Sequence, residues 1–309
     1  RLQVEHPVTE IITGLDLVAL QIQVAQGEPL GLSQDDITLS GHAIEVRLYT
    51  EDPTQDFLPM SGPVDLWEPA TGVGVRVDSG ICTGQDISPF YDPMVAKVIA
   101  GGPTREIARL RLLEALNETL LFGTKNNKDF LVACLQKPVF IAGAATTAFI
   151  MEEFSKGEIS ENIPSFAHSA VAAVLEFGHA YQRSQRSSVM VSSNLKNWSS
   201  ASPLISPKKY HFGETRYALS VTPIRDECYK VFDTEQSVEI ELLSVDGNTA
   251  HVRIDQSQHI ARFHSPELGV LYVSMDGRSA TYRDHILLDG VTERGHGSGS
   301  VISPMHGVL

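Results

Sequence analysis

The first five residues, Arg1-Leu2-Gln3-Val4-Glu5, alternate polar and apolar side chains. In an extended segment a period of two puts Arg1, Gln3 and Glu5 on one face and Leu2 and Val4 on the other. A guanidinium, an amide and a carboxylate in a row could hold a small anion, and the carboxylate could take a proton from it. The same alternation also describes an edge strand with a solvated polar face. A second run places Ala43, Glu45, Arg47 and Tyr49 opposite His42, Ile44, Val46 and Leu48. There Glu45 could orient Arg47 in a site, or the two could form a same-face ion pair. His42 falls on the apolar side and reads as a hydrogen-bonded core histidine. Ser88-Pro89-Phe90-Tyr91-Asp92-Pro93-Met94 is an aromatic, proline-bounded loop that could line a site or plug the end of a sheet. Lys97, just beyond it, has no partner by spacing and reads as surface. No glycine-rich phosphate loop with a lysine, no Ser/His/Asp set and no paired-histidine metal motif stands out.

These residues need elements to hold them. Leu2 to Glu5 reads as a strand, and Pro7 disfavours helix at His6. Thr9 can cap the next element, and Leu15 to Ala25 reads as a helix stopped by Gly27. Gly41 to Thr50 is an alternating strand ended by Glu51-Asp52-Pro53. Val64 to Trp67, Val73 to Val77 and Val95 to Ala100 are further strands. Pro103 to Leu120 is a helix with an apolar stripe of Ile107, Leu110, Leu113, Ala115, Leu116 and Leu120. Asp129 to Leu135 and Thr147 to Phe154 are shorter helices. Ser165 to Arg186 is a helix built on Ala170, Val171, Val174, Leu175, Phe177 and Ala180. Ser187 to Pro207 is serine-rich and reads as a linker. From Arg216 to about Leu288, short alternating strands are separated by Asp246-Gly247, Asp255, Pro266 and Asp276-Gly277, as in a meander that closes into a barrel. Gly295 to Ser300 is a flexible linker.

Composition sets limits on function. The chain has 309 residues, with 38 acidic against 24 basic and a net charge of -14. So acidic a chain is a poor partner for nucleic acid or an anionic membrane surface, although a local anion pocket is still allowed. Its three cysteines, Cys82, Cys134 and Cys228, show neither metal spacing nor a disulfide framework. No apolar run approaches the ~20 residues that span a bilayer.

Arg1-Leu2-Gln3-Val4-Glu5-His6-Pro7-Val8-Thr9-Glu10, with Ile12-Thr13-Gly14-Leu15-Asp16, resembles the signature near the end of the ATP-grasp part of biotin carboxylases. Gly41-His42-Ala43-Ile44-Glu45-Val46-Arg47, with Glu51-Asp52-Pro53 and Phe57-Leu58-Pro59, resembles their C-terminal domain. Tyr91-Asp92-Pro93-Met94-Val95-Ala96-Lys97 fits the same family. The resemblance implies that ATP activates bicarbonate as carboxyphosphate for carboxylation of biotin N1. It implies that Arg1, Gln3 and the Val4 backbone hold bicarbonate, and that Glu5 is the general base. Arg47 would bind biotin and stabilise the negative charge that develops as N1 loses its proton. The family's Mg2+ or Mn2+ ligands, glycine-rich ATP lid and ATP-gripping lysines would lie before Arg1, so this chain alone is expected to be inactive.

The remainder selects among relatives. A helix followed by a small antiparallel barrel looks like the domain by which acyl-CoA carboxylase α subunits dock on a carboxyltransferase β subunit. Ser303-Pro304-Met305-His306-Gly307-Val308-Leu309 resembles the start of a biotinyl domain, whose biotin-bearing lysine would come later. The expected fold is therefore α+β and multidomain. Residues 1–38 end an ATP-grasp domain, and 39–158 form the biotin carboxylase C-terminal domain. Residues 159–293 form the docking domain, 294–300 a linker, and 301–309 the first strand of a biotinyl domain. The short barrel and Asn197-Trp198 resemble the methylcrotonyl- or geranyl-CoA type. A propionyl- or acetyl-CoA carboxylase α subunit, a non-catalytic assembly module and an ATP-grasp ligase without biotin are the alternatives. A hetero-oligomer is expected, in the cytoplasm of a bacterium or the mitochondrial matrix of a eukaryote, with the cytoplasm preferred.

Overall fold

The computed structural model describes residues 1–154, 163–187, 197–199 and 203–292. The chain divides into two compact units: the first runs from Arg1 to Asn162 and takes in Asp276–Ser279, and the second holds Ile163–Met275 and the stretch from Ala280 onward. The linker expected at 294–300 and the biotinyl start at 301–309 lie outside the described residues, as do most of 188–202.

The first unit opens differently from the expected strand. Leu2 to Glu5 form no strand. They make an irregular turn into helix α1, His6–Thr13, and Pro7 sits inside its first turn. Proline is tolerated there because the first turn of a helix leaves its N–H groups without carbonyl partners anyway. That tolerance outweighs the restriction on the residue before a proline. Thr9 thus lies within α1 rather than capping a later helix. Helix α2, Leu17–Ala25, is capped by Asp16, whose carboxylate accepts from the Ala19 N–H at 2.8 Å.

Three antiparallel strands come next: β1 (His42–Tyr49), β2 (Val75–Ser79) and β3 (Met94–Gly102), with β3 in the centre. The β1 alternation holds, and its even face buries Leu48 completely. His42 is exposed instead of being a core residue, because it starts the strand at the sheet's end, opposite Gly102. Ile44, Val46, Val75, Val77, Val98 and Ala100 pack against helix α3, Arg105–Glu118, through Leu112, Ala115 and Leu116. The apolar stripe expected on α3 is rotated. Ile107 and Leu110 are exposed, and Ala108 and Leu112 take the core positions. Thr104 caps this helix, accepting from the Ile107 N–H, while Pro103 stays outside it. Helix α4, Lys128–Gln136, completes the layer beside α3.

The second unit is built on α5, Phe166–Ser187. Ala170 to Leu175 are all buried, and a helix apolar on every side must be enclosed. Eight strands enclose it: β4 (Ser206–Phe212), β5 (Thr215–Arg225), β6 (Cys228–Phe232), β7 (Ser237–Asp246), β8 (Thr249–Ile254), β9 (Ser257–His264), β10 (Val270–Met275) and β11 (Arg278–Arg283). Each pairs with its sequence neighbours in one antiparallel meander, nearly a barrel. The turns use the expected residues: Asp276 and Gly277 both take positive φ, as does Asp255. Two elements depart from expectation. Strand β4 begins at Ser206, inside the segment that reads as linker, and helix α6, His285–Thr292, comes after the last strand. Pro207 is accommodated because β4 stands at one end of the strand order and has a ladder partner on one side only. Among the described residues no single helix is long and apolar enough to cross a membrane.

Candidate active site on the polar face of the three-stranded sheet

The face of the sheet away from α3 carries charge in two cross-strand rows. Arg47 of β1 lies opposite Lys97 of β3, and Lys97 lies opposite Asp78 of β2. One step along, Glu45 faces Ile99, which faces Arg76. The segment from Val4 through α1 lies over this face and supplies its counter-charges. Arg47 Nη2 donates to Glu5 Oε2 at 3.2 Å, joining residues 42 positions apart. The ion pair is open, with the Arg47 side chain 42% and the Glu5 side chain 56% exposed. Pairs this exposed add little to stability. Both groups stay available to a ligand.

The surrounding contacts are tighter. Arg76 donates to Glu10 at 2.7 Å and grips Asp78 through two nitrogens at 2.8 and 3.0 Å. Glu10 also accepts from the Leu17 N–H at 2.8 Å, which ties α1 to the start of α2. Burial alone would raise the Glu10 carboxyl. The hydrogen bonds from Arg76 and from the Leu17 N–H outweigh that and hold it below the usual carboxylate range. The stabilisation is therefore present above the ordinary carboxylate pKa and is lost as pH falls through the lowered folded value. In thermal melts, Glu10→Gln should fall below the wild type at neutral pH. The gap should close as the pH drops from about 4 downward. A gap that persists unchanged into acid would show that the charge on Glu10 plays no part.

Glu45 behaves in the opposite way. Burial pushes its carboxyl up, against the pull of Lys97, Arg47 and His6, and nearby Glu5 adds to the rise. Its Oε2 is buried without a hydrogen-bond partner. The end of β1 is fixed by Asn127. Its Oδ1 accepts from the Tyr49 N–H at 3.0 Å, and its Nδ2 donates to the Arg47 carbonyl at 3.3 Å and to Glu51 at 2.9 Å. This clamp sits where the β1–β3 register slips between Leu48 and Tyr49, so it satisfies backbone groups that the ladder misses.

The structure thus brings Glu5 and Arg47 together, with Glu45 beside them. Arg1 and Gln3 instead line a largely apolar cleft of about 430 Å³ along α2, with Leu17, Leu20 and Leu30. Val4 reaches the site through its backbone, where its carbonyl accepts from Lys97 Nζ at 3.1 Å. Lys97 is only 13% exposed, which overturns its reading as a surface residue. The Phe90-Tyr91 tip neither plugs the sheet nor packs; the two rings are 89% and 82% exposed. Sequence reasoning missed Lys97, Asn127 and the Arg76–Glu10–Asp78 cluster. Arg76 and Asp78 share a strand face two positions apart, a signal the spacing could have given, whereas the partners Glu10, Val4 and the β1 backbone lie tens of residues from Arg76, Lys97 and Asn127. Among the described residues no group of carboxylate, imidazole and thiol side chains is placed to hold a metal ion.

Residues 45–152 match the family model of the biotin carboxylase C-terminal domain. Residues 1–33 match that of the carbamoyl-phosphate synthase L chain ATP-binding domain. The propionyl-CoA carboxylase alpha chain of Ruegeria pomeroyi is 42% identical over 209 residues, which is 61% of this chain and 31% of that protein. The mitochondrial methylcrotonoyl-CoA carboxylase subunit alpha of Mus musculus is 42% identical over 173 residues, 56% of this chain and 23% of that protein. A structure of Rhizobium etli pyruvate carboxylase with acetyl coenzyme A is 35% identical with a TM-score of 0.51. It covers 55% of this chain and 17% of that one. The chain spans about a third or less of the length of these curated relatives. Glu5 and Arg47 fall in two different matched segments that meet in one compact unit. Residues 45–152 thus match the biotin carboxylase C-terminal domain, and the proteins this chain resembles are biotin carboxylases and subunits of biotin-dependent carboxylases.

Proposed function

We propose that the parent protein performs the biotin carboxylase half-reaction of an acyl-CoA carboxylase, as its biotin-containing α subunit and an ATP-dependent ligase. The observation that carries this reading is the 3.2 Å contact between Glu5 and Arg47 on an open, charged sheet face. Biotin, when bound, supplies the nitrogen that accepts the carboxyl group. Glu5 would take the bicarbonate proton, so that a bicarbonate oxygen attacks the terminal phosphate of ATP while the bond to ADP breaks; the carboxyphosphate formed would split into CO2, which biotin takes up, and phosphate, which can accept the proton biotin loses. Arg47 presents a fixed cation to the negative charge that develops on the acceptor. Arg1, Gln3 and the Val4 backbone would hold bicarbonate, which requires Arg1 and Gln3 to turn from the cleft along α2 that they line here. ATP and Mg2+ or Mn2+ are the co-substrate and metal of this half-reaction.

Residues 159–293, with α5 inside its strand meander, dock the carboxyltransferase β subunit in a hetero-oligomer. Two acyl-CoA types compete. Asn197-Trp198 and the short barrel favour the methylcrotonyl type. The match to a propionyl-CoA carboxylase alpha chain runs further, over 209 residues against 173. The protein works in the cytoplasm of a bacterium or the mitochondrial matrix of a eukaryote. The test is ADP release by the full-length parent with ATP, Mg2+, bicarbonate and free biotin. Release that needs both bicarbonate and biotin supports the reading. Release indifferent to biotin sinks it and favours a biotin-free ligase, and no release at all favours a non-catalytic assembly module.

A further inference from the structure

We propose that Lys97 is a positioning residue for the bicarbonate-holding segment: its ammonium grips the Val4 carbonyl and so sets where the Val4–Glu5 peptide and the Glu5 carboxylate stand. The proposal rests on the biotin carboxylase reading and adds a residue to it.

The backbone of residues 3–5 is irregular, and its carbonyls are shared out between two sources. The Gln3 carbonyl accepts from the His6 N–H at 3.3 Å, with His6 Nδ1 also at 2.9 Å. The Glu5 carbonyl accepts from the Val8 N–H at 3.1 Å. Both therefore belong to the first turn of α1. The Val4 carbonyl between them is taken by Lys97 Nζ at 3.1 Å, from the central strand of the sheet, 93 positions away. A peptide unit is planar, so fixing the Val4 carbonyl also fixes the Glu5 N–H and the start of the Glu5 side chain.

Arg47 is the cross-strand neighbour of Lys97 and reaches the same segment through the Glu5 carboxylate. Two adjacent strands thus hold one tripeptide, one by its backbone and one by its side chain. Like charges directly opposite one another in a sheet are unfavourable, and burying an ammonium adds a desolvation cost. Lys97 nevertheless stands beside Arg47 with only 13% of its side chain exposed. Asp78 offsets part of that cost, 3.4 Å away on the other neighbouring strand. Besides its pairing with Asp78 and its pull on the buried Glu45 carboxyl, the ammonium makes one directed bond to the backbone of another segment, the bond to Val4.

The experiment uses the full-length parent with ATP, Mg2+ and biotin, over a range of bicarbonate concentrations. Lys97→Met removes the bond to Val4. Asp78→Asn keeps that bond and weakens the ion pair behind Lys97, together with the Arg76–Asp78 contact beside it. In Lys97→Met the KM for bicarbonate should rise about tenfold or more, since small misplacements of a reacting group are costly. The KM for ATP should stay within about twofold, because ATP is held elsewhere. Asp78→Asn should keep a near wild-type KM for bicarbonate. Should Lys97→Met fail to fold, Lys97→Gln takes its place, with an intermediate rise expected because the amide can still donate. An unchanged bicarbonate KM in the Lys97 variant overturns the proposal. So does a parallel rise in both KM values in both variants, which would mean general support of the sheet. A wild-type parent without bicarbonate- and biotin-dependent ADP release overturns the reading of the reaction itself, and this proposal with it.

Discussion

Replacing Arg47 with alanine in the full-length parent should lower the biotin-dependent rate of ADP release by about a hundredfold to a thousandfold. The guanidinium is 42% exposed and makes one open ion pair with Glu5, so its loss should barely change the melting temperature. Its value lies in aiming a fixed cation where negative charge grows during the reaction. Arg47→Lys should recover only part of the rate, because a point charge on a flexible stem does not reproduce a planar fork. Glu5→Gln keeps the side-chain shape and removes the base, and should depress the same rate while ATP still binds. Steady-state assays with melting curves alongside separate the outcomes. Variants that fold and run at the wild-type rate would show that the contact is only structural.

The largest stability effect is expected in the other unit, at Lys208. Its ammonium is 5% exposed and lies 3.1 Å from Asp284 and 3.3 Å from Glu176, both buried. Asp284 also accepts from the Lys209 and Ile286 N–H groups, and Glu176 accepts from the Tyr210 hydroxyl at 2.7 Å. Lys208→Met would leave two buried carboxyls with no cation between them. Breaking a buried pair from one side costs about 3–5 kcal/mol. Burial already pushes the Glu176 carboxyl up, so this residue should take a proton first once Lys208 is gone. The loss should therefore be largest at high pH and shrink on acidification. Urea unfolding of both forms at several pH values would measure it. Adding Glu176→Gln to Lys208→Met should restore part of the loss, and a double variant no better than the single one would contradict this account.

The meander is largely legible in the sequence, because each strand there pairs with its neighbour and every turn carries its own residue signal. Thr249–Ile254 alternates in burial between two turn signals, whereas Val270–Met275 is buried throughout and is marked by its apolar run. Strand β4 is not legible, since Pro207 and the serines around it point to a loop, and only pairing with β5 overrides them. The pairing of Glu5 with Arg47 comes from a motif resemblance. The alternation that suggests a shared strand face for Arg1, Gln3 and Glu5 is misleading, because a turn that precedes a helix can alternate in burial without being extended. Arg76, Lys97 and Asn127 are illegible for a different reason. Each acts across the fold on a backbone atom or a buried carboxylate, and pairings at that distance leave no local pattern.

The Glu5–Arg47 contact joins residues 1–33 to residues 45–152, which match two separate family models. The seam between those models therefore cuts through one constellation of charges. A chimaera joined within residues 34–44 would take its base from one ancestor and its facing cation from the other. The Val4–Lys97 and Glu10–Arg76 ties would be inherited as mismatched halves. Shuffling at that seam should cost activity wherever the two donors differ at these positions, even where each half folds well. A swap that keeps the constellation whole carries residues 1–152 together.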